Sequence, residues 1–69
     1  MSEAFVIANG EKIFAQLPCS IEAFLKARQL LPRSVVVEHN GQAVAPSEFA
    51  ERLLNEGDRL EIVNIVAGG

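Results

Sequence analysis

The chain contains no tryptophan and no tyrosine, and its four aromatic residues are all phenylalanine. A core must therefore be built mainly from Val, Ile, Leu and Ala. A single cysteine, Cys19, cannot close an internal disulfide, so a reducing compartment is the default. No two of the six Lys and Arg residues are adjacent, and the formal net charge is −3. That balance supplies no basic patch of the kind phosphate backbones require, so no nucleic-acid partner is expected. The first residues, 1–8, carry Glu3 and lack a basic n-region or a long apolar run. No other stretch approaches the roughly 18 apolar residues of a membrane span. The expectation is a soluble, cytoplasmic protein with no membrane partner.

What is present is apolar and compactly arranged. Hydrophobic residues make up 49% of 69 positions, enough for one domain without a disulfide or metal staple. A chain this short buries only about 60% of the surface its unfolded form exposes. Little room is left for a concave active site as well as a core. That favours a protein handled by enzymes over one that is an enzyme.

The run 4–8 ends at Asn9-Gly10 and is followed by Glu11 to Ala15. Asn-Gly between two β-type runs predicts a hairpin, because both central residues of a type I′ turn need φ > 0. Pro18 and Ser20 then announce a helix, with Ser20 as N-cap and Glu22 in the first turn. Ile21, Phe24, Leu25 and Arg28 share one face, and Pro32 stops the helix after roughly ten residues. Val35, Val36 and Val37 form a β-branched run that suits a well-covered strand. Asn40-Gly41 turns it, and Gln42 to Val44 form a short returning strand. Pro46 opens an expected second helix burying Phe49, Leu53 and Leu54. Asn55 to Asp58 read as a tight turn. In the last strand Leu60, Ile62, Asn64 and Val66 share the inner face, and Arg59, Glu61, Val63 and Ile65 share the outer. Val63 and Ile65 have no evident core duty there and are candidates for a partner surface, with Arg59 and Glu61 at its rim. Cover by another part of the same chain is the alternative.

The chemistry-bearing side chains are sparse. Cys19 has no CxxC partner and precedes a helix, where its pKa would fall a little; it reads as an ordinary small residue. His39 has no Cys, Asp or Ser constellation near it in sequence and reads as a strand-end histidine. Glu48, Glu51, Glu56 and Asp58 read as solvated helix and turn positions. No metal set is expected. The most unusual feature is Gly68-Gly69: at about 7% glycine, such an ending arises by chance in roughly 0.5% of chains.

The order β-β-α-β-short helix-β ending in Gly-Gly resembles the ubiquitin-like β-grasp fold. This implies an α+β domain over 1–66, with a mixed sheet of four to five strands, and a flexible tail over 67–69. The stretches Val35 to Gly41, Val44-Ala45-Pro46, Gly57 to Val63 and Val66-Ala67-Gly68-Gly69 are similar to the thiamine-biosynthesis sulfur carriers of the ThiS family. The resemblance implies that an E1-like adenylyltransferase uses ATP and Mg²⁺ to adenylate the Gly69 carboxylate. A persulfide donor then displaces AMP, and the resulting thiocarboxylate gives its sulfur to thiazole synthase. No cofactor would be bound stably. Ala67 and Gly68 would thread the enzymes' channels, since small residues do not crowd the carbonyl and glycine adopts backbone angles barred to others. Three alternatives stay open: the sulfur-carrier subunit of molybdopterin synthase, which shares fold and tail; a ubiquitin-like modifier joined to lysines; and a plain β-grasp interaction module.

Overall fold

The computed structural model describes residues 4–65. The expected domain edge at 66/67 and the roles of Val66, Ala67, Gly68 and Gly69 lie outside them. Strands β1 (Phe5–Ala8) and β2 (Glu11–Phe14) form the predicted hairpin. Its turn residues Asn9 and Gly10 sit at φ 51° and 83°, as a type I′ turn demands. Two-residue β3 (Cys19–Ser20) leads into helix α1 (Ile21–Ala27). Strands β4 (Val35–His39) and β5 (Gln42–Val44) make a second hairpin about Asn40 and Gly41 at φ 52° and 85°. Two-residue β6 (Leu53–Leu54) and long β7 (Arg59–Asn64) complete the set.

The main sheet runs β2-β1-β7-β4-β5, and β3 and β6 form a small separate pair. β7 lies at the centre, parallel to β1 and antiparallel to β4. The sheet is mixed and five-stranded, in line with the expected β-grasp architecture. α1 covers one face. Ile21, Phe24 and Leu25 pack with Val6, Val35, Val37 and Leu60 into one core that also takes in Phe49 and Leu54.

Four local expectations are corrected. α1 has seven residues, not ten, and Pro32 does not end it. It closes earlier, where Gln29 adopts φ 62°. The Leu30 and Gln29 amides then donate to the Leu25 and Lys26 carbonyls at 2.8 and 2.9 Å. That is a Schellman termination, with glutamine in the position glycine usually fills. The second helix is only a 3₁₀ turn, Pro46–Glu48, because the chain must straighten for Leu53 and Leu54 to pair with Ser20 and Cys19. Strand alternation there buries Leu54 and exposes Leu53, which was expected inside. The Val35–Val37 run is covered on one face only: Val35 and Val37 are buried, and Val36 is 49% exposed. The N-terminal capping stands as expected, since the Ala23 amide donates to Ser20 Oγ at 3.0 Å.

Candidate functional site

The outer face of β7 is where the sequence placed its candidate partner surface. Val63 and Ile65 are 58% and 50% exposed; among the described residues no part of the chain covers them. Register sets Val36 of β4 directly beside Val63, and the Ile65 amide extends the ladder by donating to the Ser34 carbonyl at 2.7 Å. Three aliphatic side chains thus form one exposed strip at the end of β7 that leads toward residues 66–69. Val36 was missed in the sequence because three consecutive valines carry no alternation. The pairing partner, read from the β7 pattern, was the signal that could have found it.

Next along the same face, Glu61 lies opposite Glu38. Like charges directly opposite in a sheet repel, and both are exposed. Arg59 does not join the strip, because four residues of strand separate it from Val63 by roughly 13 Å. The geometry therefore gathers Val63, Ile65, Val36 and an anionic pair, and leaves Arg59 at the far end.

Two asparagines hold β7 in place. Asn9 Nδ2 donates to the Ile62 carbonyl at 3.0 Å, and the Ile62 amide donates to Asn9 Oδ1 at 2.7 Å. The side-chain amide acts as an extra peptide group, extending the β1 pairing past the point where β1 turns away. Asn40 grips β7 at its start with one side-chain and one main-chain group: its Oδ1 accepts from the Arg59 amide at 2.8 Å, and its backbone amide donates to the Arg59 carbonyl at 2.8 Å. The Asn-Gly signals were read only as turns. They also brace the strand from which the C-terminal residues continue.

The second departure concerns His39, which is 6% exposed. Its Nε2 lies 2.7 Å from Asp58 Oδ2, and its Nδ1 accepts from Arg52 Nε at 2.9 Å. With Nδ1 accepting, the ring proton is on Nε2 and points at the carboxylate. Arg52 also donates to Gln42 Oε1 at 2.8 Å. Asp58 further accepts from the Asn55 amide at 2.9 Å and from Asn40 Nδ2 at 3.3 Å. Burial pushes the Asp58 carboxyl up, but the Asn55 amide, His39 and Asn40 together outweigh it and hold it below its usual range. Asp58 is therefore not a solvated turn position, and His39 does have a carboxylate partner. Nineteen residues separate the two, too far for sequence spacing to reveal. The network ties β4, β5, the 45–52 segment and the entry to β7. It lies on the helix side of the sheet, away from the exposed strip, and reads as a brace.

Cys19 is half-buried, and burial pushes its thiol up, opposite to the fall expected from its place before a helix. Among the described residues no group of three or more His, Cys, Asp and Glu could hold a metal ion. None of their helices is long and apolar enough to cross a membrane.

Comparison with known proteins places this geometry. A thiazole synthase of Paramagnetospirillum magneticum is 36% identical over 64 residues, spanning 93% of this chain and 20% of that protein. One from Magnetococcus marinus is 31% identical over 61 residues, spanning 88% and 19%. The chain is thus about a fifth of the length of these two relatives. The uncharacterized protein ycf40 of Pyropia yezoensis, 33% identical over 61 residues, is matched over 86% of its own length. The solved structure of the thiamine biosynthesis protein ThiS from Geobacter metallireducens superposes with a TM-score of 0.78 over 94% of this chain and 99% of that one, at 22% identity. It shows the shared ubiquitin-like fold. The ThiS family profile matches residues 5–69, so the strip, the brace and the glycine ending all fall within it, and the chain belongs to the ThiS family.

Proposed function

We propose that this protein is a sulfur carrier for thiazole formation in thiamine biosynthesis, a substrate of enzymes and not itself a catalyst. The observation that carries the reading is the exposed strip of Val36 on β4 with Val63 and Ile65 at the end of β7, just upstream in sequence of Gly68-Gly69 in a chain of the ThiS family. A bare carboxylate resists sulfur nucleophiles, because it is anionic and has no competent leaving group. In this reading the Gly69 carboxylate attacks the α-phosphorus of ATP, supplied with Mg²⁺ by an E1-like adenylyltransferase, and pyrophosphate leaves. The terminal sulfur of a persulfide donor enzyme then attacks the acyl carbon and AMP leaves. A thiol cleaves the resulting acyl disulfide to release the thiocarboxylate, which thiazole synthase consumes.

Each of these enzymes must grip the same small domain. The aliphatic strip supplies desolvatable area. The Glu38 and Glu61 pair, repelling each other in the free chain, favours a partner with Arg or Lys opposite it. Arg59, at the far end of the strand, would contribute only to a partner broad enough to reach it. The thiazole synthase relatives support the thiamine branch over a molybdopterin synthase subunit or a lysine-linked modifier.

The test is intact mass. The chain ending at Gly69 should, after incubation with the adenylating enzyme, ATP and a persulfide donor, gain the mass difference between sulfur and oxygen. Absence of that species with active enzymes would refute the reading. Capture of a molybdopterin synthase large subunit instead of thiazole synthase would move the protein to the neighbouring pathway.

A further inference from the structure

Two strands across the main sheet from β7, β2 forms one edge, and among the described residues nothing pairs with its outer side. The Ala15 amide donates to the Ala4 carbonyl at 3.0 Å. With the β1–β2 register, this makes Ala4/Ala15, Val6/Ile13 and Ala8/Glu11 the pairs that exchange hydrogen bonds, because such pairs alternate along an antiparallel ladder. The amide and carbonyl groups of Lys12 and Phe14 therefore point outward from the sheet.

Beneath this edge lies a groove of about 440 Å³ between β2 and α1, lined by Ile13, Cys19, Ala23, Phe24, Ala27 and Arg28 among others. Of the helix residues lining it, Ala23 and Ala27 are small, exposed and lie one turn apart, Phe24 is buried, and Arg28 stands at the helix end. On the opposite face Phe14 is 58% exposed. Its ring meets Phe5 edge-on at 6.4 Å, and Lys12 Nζ sits 4.6 Å from the Phe5 centroid. Edges are usually blunted by charge along their length. This one carries Glu11 and Lys12 in its first half, and its second half offers an aromatic and an apolar slot beside the outward backbone groups of Lys12 and Phe14.

We propose that the β2 edge and its groove receive an extended segment of a partner protein as a sixth strand of the sheet. The register dictates the segment's chemistry. A residue beside Phe14 is apolar, the next drops into the groove next to Ile13, and the one beside Lys12 is a carboxylate. Arg28, which makes no ion pair among the described residues, stands at the groove's end on the helix side of the sheet, the face opposite Lys12. Strand addition of this kind takes its affinity from the backbone ladder and its selectivity from alternate side chains. β1 separates β2 from β7, so the two surfaces lie roughly 10 Å apart across the sheet. Phe14 and Lys12 share the outer face with the strip, and an added strand alone would lie one further spacing away from it. This inference does not rest on sulfur carriage.

The experiment uses ¹⁵N-labelled full chain and a capped peptide, Lys-Thr-Ile-Val-Ile-Asp-Thr-Lys. The expected result is amide shifts confined to residues 11–16 and to α1, with slowed hydrogen exchange at Lys12 and Phe14. Ala23→Arg, which fills the groove mouth from an exposed helix position, should weaken binding about tenfold. Ala27→Arg should do the same, and either variant is informative when its remaining amide spectrum is unchanged. Lys12→Glu should lose up to about fivefold, regained with a peptide carrying Lys in place of Asp. The proposal is overturned by absence of shifts at millimolar peptide, by shifts centred on Val36 and Val63, by undiminished binding to both groove variants, or by sedimentation showing the free chain already dimeric through β2.

Discussion

Replacing Asp58 with alanine removes the acceptor on which three donors converge: the His39 ring, the Asn55 amide and the Asn40 side chain. They are unequal. The Asn40 contact is long and exposed, and water can replace it; the Asn55 amide is likewise exposed. The His39 bond is short, and the histidine is almost fully buried, so its Nε2 proton loses a partner that water cannot easily supply. A hydrogen bond to a charged group contributes about 1.5–3 kcal/mol. With small additions from the two exposed donors, the loss should be about 2–3 kcal/mol. For a domain of this length that corresponds to a fall in Tm of roughly 10–20 °C. Asp58→Asn keeps one acceptor oxygen but no charge and should lie between wild type and alanine. Urea unfolding followed by circular dichroism measures all three. The pH dependence supplies a sharper check. The folded chain holds this carboxyl below its ordinary value of 3.8. As the pH drops, the unfolded chain therefore takes up the proton first, and folding loses free energy. The gap between wild type and Asp58→Asn should be full at neutral pH and close as the pH falls below that value. A loss under about 0.5 kcal/mol, typical of an unremarkable surface site, or a gap unchanged down to pH 2, would refute the assignment of Asp58 as the centre of this brace.

Other sites give separate tests. Leu54 is fully buried although its strand has only two residues, so Leu54→Ala should cost about 2–5 kcal/mol, whereas Leu53→Ala next to it should cost little by the same urea titration. Gln29→Gly should raise stability by about 0.5–1 kcal/mol, because glycine enters the left-handed end of α1 without the steric penalty glutamine carries. Val63→Ser should leave Tm within a few degrees yet weaken binding to an adenylyltransferase or thiazole synthase, measured calorimetrically. Val36→Ser should act in the same direction, because the two side chains are neighbours.

Features written in local chemistry were legible in the sequence. Both Asn-Gly turns, the Ser20 cap and the alternation from Arg59 to Ile65 follow from short-range rules, and the structure carries each. The exposure of Val63 and Ile65 was legible for the same reason, since the charges at Arg59 and Glu61 fix which face meets water. The segment 45–54 was not. Its Pro46 and following Glu resemble a helix start, but pairing of two residues with β3, more than thirty positions earlier, overrides that preference. Such short strands leave no periodicity to detect. The His39 to Asp58 bond failed to show because both residues are unexceptional alone, and only the return of the chain beside β4 joins them. Val36 was hidden in a uniform run, and the shortened helix turned on a glutamine doing what glycine usually does.

Asn9 carries a consequence of a different kind. An asparagine followed by glycine is chemically perishable, because the unhindered next amide nitrogen can attack the side-chain amide and expel ammonia through a succinimide. In this fold the same side-chain amide is engaged at both atoms with the Ile62 backbone, so it must release β7 before it can be attacked. Ring opening then leaves a carboxylate facing the Ile62 carbonyl, where a donor had been, and the strand cannot be gripped again in the same way. Opening of that end of the sheet and chemical ageing of the turn are thus one coupled event. The shelf life of Asn9 becomes a clock that runs only while β7 is loose, and partners that seat the strand would slow it.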